Sequence, residues 1–267
     1  METSLPPATT PLRPETLPAP RLSRPQRVAE AIKDWVMTEG WQPGERLPSE
    51  ASLIARFGMA KGTIREAIRI LEAQGLVRSR TGPGGGVFVN EVVEERAAAL
   101  LGNYFYFQKL TIDDIYQVRE ALEPELAANL AGQLSDAQLQ ALEAVISSYE
   151  APAANAEEER DQHVASLRFH AVLAEMSGNP LLRFLIRFTA NILSEITVTR
   201  RLYDPPNHEL WASGVAYQSQ LLAALRDGDA TVARDVMRQH MRSAKQLMLR
   251  QEAVVTQRFL TEKGKLW

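Results

Sequence analysis

The chain has no cysteine among its 267 residues. That absence excludes disulfide bonds, thiolate metal sites and cysteine nucleophiles. The sequence also lacks an apolar run near the roughly 18 residues of a membrane-spanning helix. It does not begin with a basic segment followed by an apolar stretch, as a secretory signal does. These absences predict a cytoplasmic protein with no membrane partner.

A strong excess of charge of one sign is also missing, because the formal net charge is only −3. Whole-chain charge therefore gives no indication of a nucleic-acid partner. The charge is nevertheless unevenly distributed. Residues 22–90 carry ten Lys and Arg against seven Asp and Glu by direct count, and the rest of the chain is acidic. A small, mildly basic domain followed by a larger acidic one indicates two domains with different tasks.

The first part of the chain carries the turn signals. Residues 1–22 are rich in proline, threonine and serine and show no hydrophobic period, so we predict a disordered tail. Residues 23–90 then predict a helix over Gln26–Glu39, a short helix capped by Ser49, and a third helix over Lys61–Gln74. Two short strands joined by a glycine-rich turn follow. This order is that of a winged helix-turn-helix.

The strand signals stop after residue 90. We expect residues 91–110 to form a linker and a first helix. Between residues 111 and 253, six segments carry apolar residues at helical spacing with short connections, which is typical of an all-α bundle. Residues 254–267 are expected to form a C-terminal tail. The predicted fold is mainly α, with a small β-hairpin wing in the N-terminal domain and an all-α C-terminal bundle.

A row of cations lies on the third predicted helix, where Lys61, Arg65 and Arg69 repeat every four residues. Like charges at this spacing repel mildly, so the row does not stabilise the helix. A solvated face is the ordinary interpretation. The second helix of a helix-turn-helix, however, places such residues in the major groove, where Arg and Lys donate to guanine. The predicted DNA-binding residues are Ser49, Lys61, Gly62, Thr63, Arg65, Arg69, Gly84 and Gly85.

The segment "PGERLPSEASLIARFGMAKGTIREAIRILEAQGLVRSRTGPGGGVFV" resembles the DNA-binding domain of the GntR family of bacterial transcription regulators. The resemblance implies that Lys61 and Arg65 contact bases in double-stranded DNA with a two-fold operator. The sequence departs from the family pattern at three positions. Ala51 stands where many relatives carry Arg, Ala60 replaces Ser, and Lys61 replaces Arg. Because Lys lacks the fork geometry of Arg, we expect a shifted or weakened operator preference.

The segments "IYQVREALEPELAANLA", "FHAVLAEMSGNPLL" and "LLAALRDGDATVARDVMRQHM" resemble the FadR-type C-terminal domain of one GntR subfamily. The resemblance implies a helical bundle that forms a homodimer around central ligand cavities. Many members hold a divalent metal there with one Asp and three His. His170 and His240 match two of these ligands, whereas Ser166 and Gln218 replace the other two.

Two neutral imidazoles, a hydroxyl and an amide are poor ligands for a divalent cation. We therefore predict no firmly bound cofactor. Zinc, nickel or manganese held by His170 and His240 remains the alternative. Arg119 matches the family arginine that often holds the carboxylate of an effector, and an ion pair with Glu123 is the competing interpretation. The effector-binding residues implied are Arg119, Ser166, His170, Gln218 and His240.

We predict a dimeric, ligand-responsive transcription regulator that senses a small organic acid. We expect a repressor, although the direction of the response does not follow from the residues. One alternative is a DNA-architectural protein with an empty cavity. The other is an enzyme whose active site is the His170 and His240 cavity. The sequence offers that enzyme no nucleophile elbow, P-loop, dinucleotide fingerprint or zinc motif.

Overall fold

The computed structural model describes residues 22–264 and the side chains of residues 22–258. The tail predicted for residues 1–22 lies almost wholly outside the described residues. The chain divides into two compact units, one ending at Val93 and the other beginning at Glu94. Helices dominate both units, and two short strands form a hairpin in the first. The predicted fold class, a winged helix-turn-helix followed by an all-α bundle, is confirmed.

The first unit contains three helices and a hairpin. Its elements are α1 (Arg24–Thr38), α2 (Glu50–Phe57), α3 (Lys61–Gln74), β1 (Val77–Arg80) and β2 (Gly86–Val89). Helix α1 begins two residues before the predicted Gln26, because Ser23 and Gln26 form a reciprocal capping box and Pro25 suits the first turn. The strands pair antiparallel, with Val77 opposite Val89.

The core of this unit lies between α1 and α3. Ile32 of α1, Leu53 of α2 and Ile64 and Leu71 of α3 are all almost completely buried. The apolar stripe of α3 thus faces inward, as its helical spacing predicts. Consequently the cationic side of α3 faces away from the core.

The second unit contains seven helices within the described residues. They are α4 (Glu94–Phe107), α5 (Ile112–Leu130), α6 (Asp136–Ser147), α7 (Ala156–Glu175), α8 (Pro180–Thr199), α9 (His208–Asp227) and α10 (Ala230–Gly264). Helix α10 continues through residues 254–264, so the boundary expected at residue 253 does not end a helix. No helix in the part of the chain that the structure describes is long and apolar enough to cross a membrane.

The core of the second unit is built around α5 and α10, which pack along each other. Helices α7 and α8 form a second packed pair, and α9 packs against α10. Ile115 of α5, Phe169 of α7, Leu193 of α8 and Met237 of α10 are buried in one apolar cluster. Several polar side chains of α5, α7, α9 and α10 are buried beside this cluster, and they define the second site described below.

Candidate functional sites

The turn before α3 fixes the position of its first residues. The Ser49 hydroxyl accepts the Ser52 N–H at 3.2 Å and caps α2. Gly58 ends α2 in the left-handed region with φ of 61°, a conformation that glycine adopts without strain. Ala60 supplies no side-chain cap to α3. A Cβ added at Gly62 would meet no atom within 4 Å, so the protein's own packing does not require glycine there.

The cationic row is exposed, and Glu50 of α2 holds part of it. Arg65 Nε donates to Glu50 Oε2 at 2.7 Å, and Lys61 Nζ lies 3.4 Å from Glu50 Oε1. Hydrogen bonding from Arg65 is the main cause of a lowered pKa at Glu50. Arg69 pairs instead with Glu66 one turn away. Exposed pairs of this kind contribute little free energy, so phosphate or base groups can compete for the cations.

The hairpin wing adds cations that the sequence interpretation missed. A groove on this unit is lined by Ser49, Arg65 and Arg69 and also by Arg46 and Arg80. A Cβ at Gly86 would lie 2.5 Å from Arg46 Nε, so the guanidinium packs directly against the wing backbone. The Arg80 guanidinium lies over the Phe88 ring at 4.8 Å. Arg80 ends β1 directly before the glycine-rich turn, which was the available sequence signal, whereas Arg46 lies in the loop before α2 and reaches the wing only through the fold.

The wing tip depends on its glycines. Gly84 has φ of 76°, which a residue with a Cβ rarely adopts. A Cβ at Gly85 would lie 2.6 Å from the Arg80 carbonyl oxygen and 2.8 Å from that of Gly82. The tip is therefore a tight backbone turn without bulky side chains. Gly62 and Thr63 lie in the first turn of α3, and Gly84 and Gly85 lie at the hairpin tip.

The second site is a cavity inside the helical unit, between α5, α7, α9 and α10. Its volume is about 40 Å³, room for only a few water molecules. Arg119, Ser166, His170 and His240 line it, and their role in effector binding stays a prediction. Gln218 is fully buried and donates to the Ser166 hydroxyl at 3.2 Å. The remaining polar lining comes from Tyr116, Tyr149, Glu159, Gln162 and His163.

Arg119 forms the ion pair that competed with effector binding in the sequence interpretation. Its Nε donates to Glu123 Oε1 at 2.5 Å, and both side chains are almost completely buried. The second oxygen of Glu123 contacts His170 Nδ1. Arg119 Nη2 is buried and has no hydrogen-bond partner among the described residues. The arginine is therefore both a structural ion and a donor with one unused nitrogen.

The protonation states in the cavity differ from the sequence expectation that His170 or His240 could add positive charge. Burial lowers the pKa of His170 despite its contact with Glu123, and lowers that of His240 well below its usual value. Both imidazoles are therefore neutral at pH 7. Burial alone would raise the pKa of Glu123, but Arg119 and then His170 outweigh it and lower the value to about 2.

The residues at the family's metal position do not fit a divalent cation. His170 Nε2 and His240 Nε2 face each other at 3.2 Å, and Gln218 Nε2 is directed at Ser166. This donor set has no anionic ligand, which a stably held divalent ion needs beside two imidazoles. Within residues 22–258, no group of three or more His, Cys, Asp or Glu side chains could hold a metal ion.

Family models match both units. The model described as "Bacterial regulatory proteins, gntR family" covers residues 25–89, and the model described as "FCD domain" covers residues 114–243. The chain belongs to the GntR family. It is a DNA-binding transcription regulator whose C-terminal unit is an FCD domain, the FadR-type effector-binding domain that the sequence motifs indicate.

Three bacterial transcription regulators are similar to this chain over most of their length. The Uxu operon transcriptional regulator of Escherichia coli K12 is 29% identical over 235 residues, which are 84% of this chain and 86% of that protein. The HTH-type transcriptional repressor NanR of Escherichia coli ATCC 8739 is 28% identical over 235 residues, covering 85% and 84%. LutR of Bacillus subtilis is 28% identical over 166 residues, covering 61% and 72%.

One solved structure supports the architecture of this GntR-family protein. A Streptococcus agalactiae GntR protein aligns with a TM-score of 0.57 and 22% identity, covering 83% of this chain and 99% of that one. At this identity the likeness bears on the fold alone. It agrees with a winged helix-turn-helix joined to a helical FCD domain.

Proposed function

We propose that this GntR-family protein is a homodimeric repressor that an effector in the FCD cavity releases from a two-fold operator. The observation that carries the proposal is the pairing of an exposed cationic recognition helix in one unit with a buried, incompletely bonded polar cavity in the other. Repression is supported by the printed name of the NanR relative. Because the partner is DNA, we place its action in the cytoplasm.

We propose that Lys61 and Arg65 read base edges and that Thr63, the Gly62 amide and the wing contact the phosphate backbone. The exposure of the row and the open space around Gly62 support these roles. We add Arg46 and Arg80 as backbone contacts, because they line the same groove as Arg65. Phosphate contacts set the position on DNA, and base contacts set the sequence.

We propose that the FCD cavity binds a carboxylate through Arg119. The unused Nη2 atom supports this role, because a buried guanidinium nitrogen without a partner is costly. A cavity of about 40 Å³ is too small for a drug-sized or metabolite-sized ligand. Effector binding must therefore separate the helices that line it. Separation of these helices would shift the population of conformations of the helical unit. The DNA-binding units can respond to that shift.

We propose that the homodimer forms through α4 and α8. Helix α4 has no buried residue, and Leu100, Tyr104 and Phe107 share one of its faces with exposed fractions of 62%, 58% and 78%. Phe105 packs against Phe188 of α8, and the groove between the two helices is lined by apolar residues such as Ile192 and Ile196 together with polar and charged ones such as Glu95 and Glu195. A two-fold operator requires a two-fold protein, and an apolar face of this kind suits a second copy.

We propose that the protein has no enzymatic role. The Ser166 hydroxyl accepts a hydrogen bond from Gln218, and no bond from Ser166 to either cavity histidine is present among the described contacts. A serine without an adjacent base is a weak nucleophile. His170 is already engaged with Glu123 and His240.

Selection of duplexes from a random DNA pool by the full-length protein tests the proposed function. We expect a sequence with two related half-sites in opposite orientation. Enrichment of a single half-site, or of no sequence, would contradict the dimeric regulator. The effector role is tested with Arg119→Lys, which keeps the buried charge beside Glu123 and removes Nη2. The variant should fold and bind the selected DNA but lose stabilisation by carboxylates.

A further inference from the structure

The FCD cavity has more unused acceptors than unused donors among the described residues. Within the described part of the chain, four lining or adjoining atoms are buried without a hydrogen-bond partner and can accept: Glu159 Oε2, Gln162 Oε1, Gln218 Oε1 and His240 Nδ1. On the donor side, Arg119 Nη2 can only donate and the Tyr149 hydroxyl can donate, and His163 Nδ1 donates or accepts according to its tautomer; these three atoms are also buried and unpaired. A buried polar atom left unpaired costs free energy, so this pattern calls for a ligand that supplies donors.

The amide orientations follow from the bonds that the other amide atoms make. Gln162 Nε2 donates to the Ala151 carbonyl oxygen at 2.7 Å, which leaves Gln162 Oε1 unused. Gln218 Nε2 donates to the Ser166 carbonyl oxygen at 3.1 Å and to the Ser166 hydroxyl at 3.2 Å. Reversing either amide would place two acceptors against each other. The unused atoms are therefore oxygens.

The contact between His170 and His240 fixes their tautomers and leaves one unused acceptor on His240. Because Glu123 is ionised and His170 is neutral, His170 Nδ1 carries the proton that it donates to Glu123. His170 Nε2 is then an acceptor, and His240 Nε2 donates to it across 3.2 Å. A neutral His240 that donates from Nε2 has a lone pair at Nδ1. That nitrogen is the fourth unused acceptor.

The ion pairs of the cavity also favour a ligand that supplies hydrogen-bond donors. Glu123 balances Arg119, whereas no ion pair to Glu159 is present among the described residues. Glu159 is 4% exposed, and its Oε1 accepts the Asn207 N–H at 2.9 Å. Glu159 is thus a buried carboxyl group without a cationic partner among the described residues. A plain carboxylate, which offers no donor, would satisfy Arg119 and leave the buried Glu159 oxygen and its neighbours unpaired.

We propose that Glu159 and Gln162 form a donor-recognising subsite and that the effector is bifunctional. Its carboxylate binds Arg119, and hydroxyl or ammonium groups at its other end bind Glu159 Oε2 and Gln162 Oε1. The two residues are three apart on α7 and share one face. Ser166 and His170 lie further along α7 and also line the cavity. This inference rests on the proposed carboxylate role of Arg119.

A matched set of acids tests the subsite by thermal shift of the full-length protein. The probes are butyrate and hexanoate, their terminal hydroxy and terminal amino derivatives, and gluconate. We expect at least one substituted acid to stabilise the protein at a concentration where its unsubstituted parent does not. A ligand lacking a donor that the site must pair is strongly rejected, so an affinity ratio of about tenfold or more is expected.

The matched variants are Glu159→Gln and Glu157→Gln. The first keeps an oxygen for the Asn207 N–H and removes the buried carboxylate, whereas Glu157 lies two residues earlier on the exposed surface of the same helix. We expect Glu159→Gln to abolish stabilisation by amino acids of the set. Stabilisation by hydroxy acids should fall less, because an amide oxygen still accepts from a hydroxyl. Glu157→Gln should behave as the unsubstituted protein does.

The outcomes separate the subsite from the proposed function. Equal stabilisation by parent and substituted acids would overturn the subsite and leave the carboxylate role of Arg119 standing. The same conclusion follows if Glu159→Gln leaves the ranking of the acids unchanged. If no acid of any length stabilises the protein, both the subsite and the carboxylate role are wrong. A lowered melting temperature of Glu159→Gln without any acid would indicate a structural role for the charge.

Discussion

In the DNA-free protein, the Glu50 carboxylate of α2 holds two cationic side chains of α3 in place. Its two oxygens hold Arg65 and Lys61, so both side chains are brought to one position on the exposed face of α3. The carboxylate would repel a DNA phosphate at that position. On the proposed role of the two cations, DNA binding releases them from Glu50, and the cost is small because exposed ion pairs contribute little free energy.

Replacing Arg65 with Ala should cost about 1–3 kcal/mol on a selected operator and flatten discrimination at one base position. The reason is the loss of a bidentate donor to guanine. The measurement is a binding titration at fixed salt against the operator and a scrambled duplex. Arg226→Ala removes the same charge from an exposed ion pair in the helical unit and should leave discrimination intact. Unchanged selectivity of Arg65→Ala would remove this residue from base readout.

The histidines that line the cavity should make stability fall in acid, and among them His163 is partly buried. Burial lowers the pKa of His163 from 6.5 to about 4. The unfolded chain therefore takes up the proton first, so this stabilisation is complete above about pH 6.5 and is lost as pH falls towards 4. Urea unfolding across this window should show a loss on the order of 1 kcal/mol or more per buried histidine.

The variant His163→Gln should flatten that pH dependence, and the same change at the exposed His208 serves as the control. Glu123, whose pKa is lowered from 4.5 to about 2, keeps its full contribution above about pH 5 and loses it as pH falls further, so the histidine effect is measured between pH 6.5 and 5. A pH profile identical in the two variants would show that His163 is not the buried neutral group described here.

At the scale of elements, we expect DNA binding to be most sensitive to a glycine-to-alanine substitution in the hairpin wing. Gly85→Ala would place a Cβ against two backbone carbonyl oxygens that cannot move independently of the turn. We expect weaker binding to all DNA sequences, a smaller salt dependence from lost phosphate contacts, and little change in base preference. Salt-dependent titrations measure this. Gly178→Ala, where nothing lies within 4 Å, is the control. An unaltered salt slope would separate the wing from the backbone contacts.

At the scale of the whole molecule, the two-unit division predicts that a fragment from Glu94 onward folds and dimerises without the DNA-binding unit. Sedimentation at micromolar concentration should give a dimer. Tyr104→Lys together with Phe107→Lys should give a monomer, because two charges would enter an apolar interface. Val232→Lys, at another exposed apolar position on α10, should remain dimeric. A monomeric unsubstituted fragment would contradict the proposed interface.

Local chemistry was sufficient to predict the elements of the first unit. Glycine at position 75 and the apolar spacing of Ile64, Ile68 and Leu71 predicted α3 with the bounds that the structure shows. The Ser49 cap and the glycine-rich turn predicted α2 and the hairpin in the same way. These signals act over a few residues, so they do not depend on the rest of the fold.

The chemistry of the cavity was decided by tertiary packing. Arg119, Ser166, His170 and His240 were expected there through family motifs, but the neutral state of the two imidazoles was not, because burial sets it. Glu159 and Gln162 carry no motif and read as ordinary polar positions on α7. Only the packing of α7 against its neighbours turns that face inward and leaves its oxygens unpaired. Sequence determines which side chains a helix carries, and packing determines which of them lose their water.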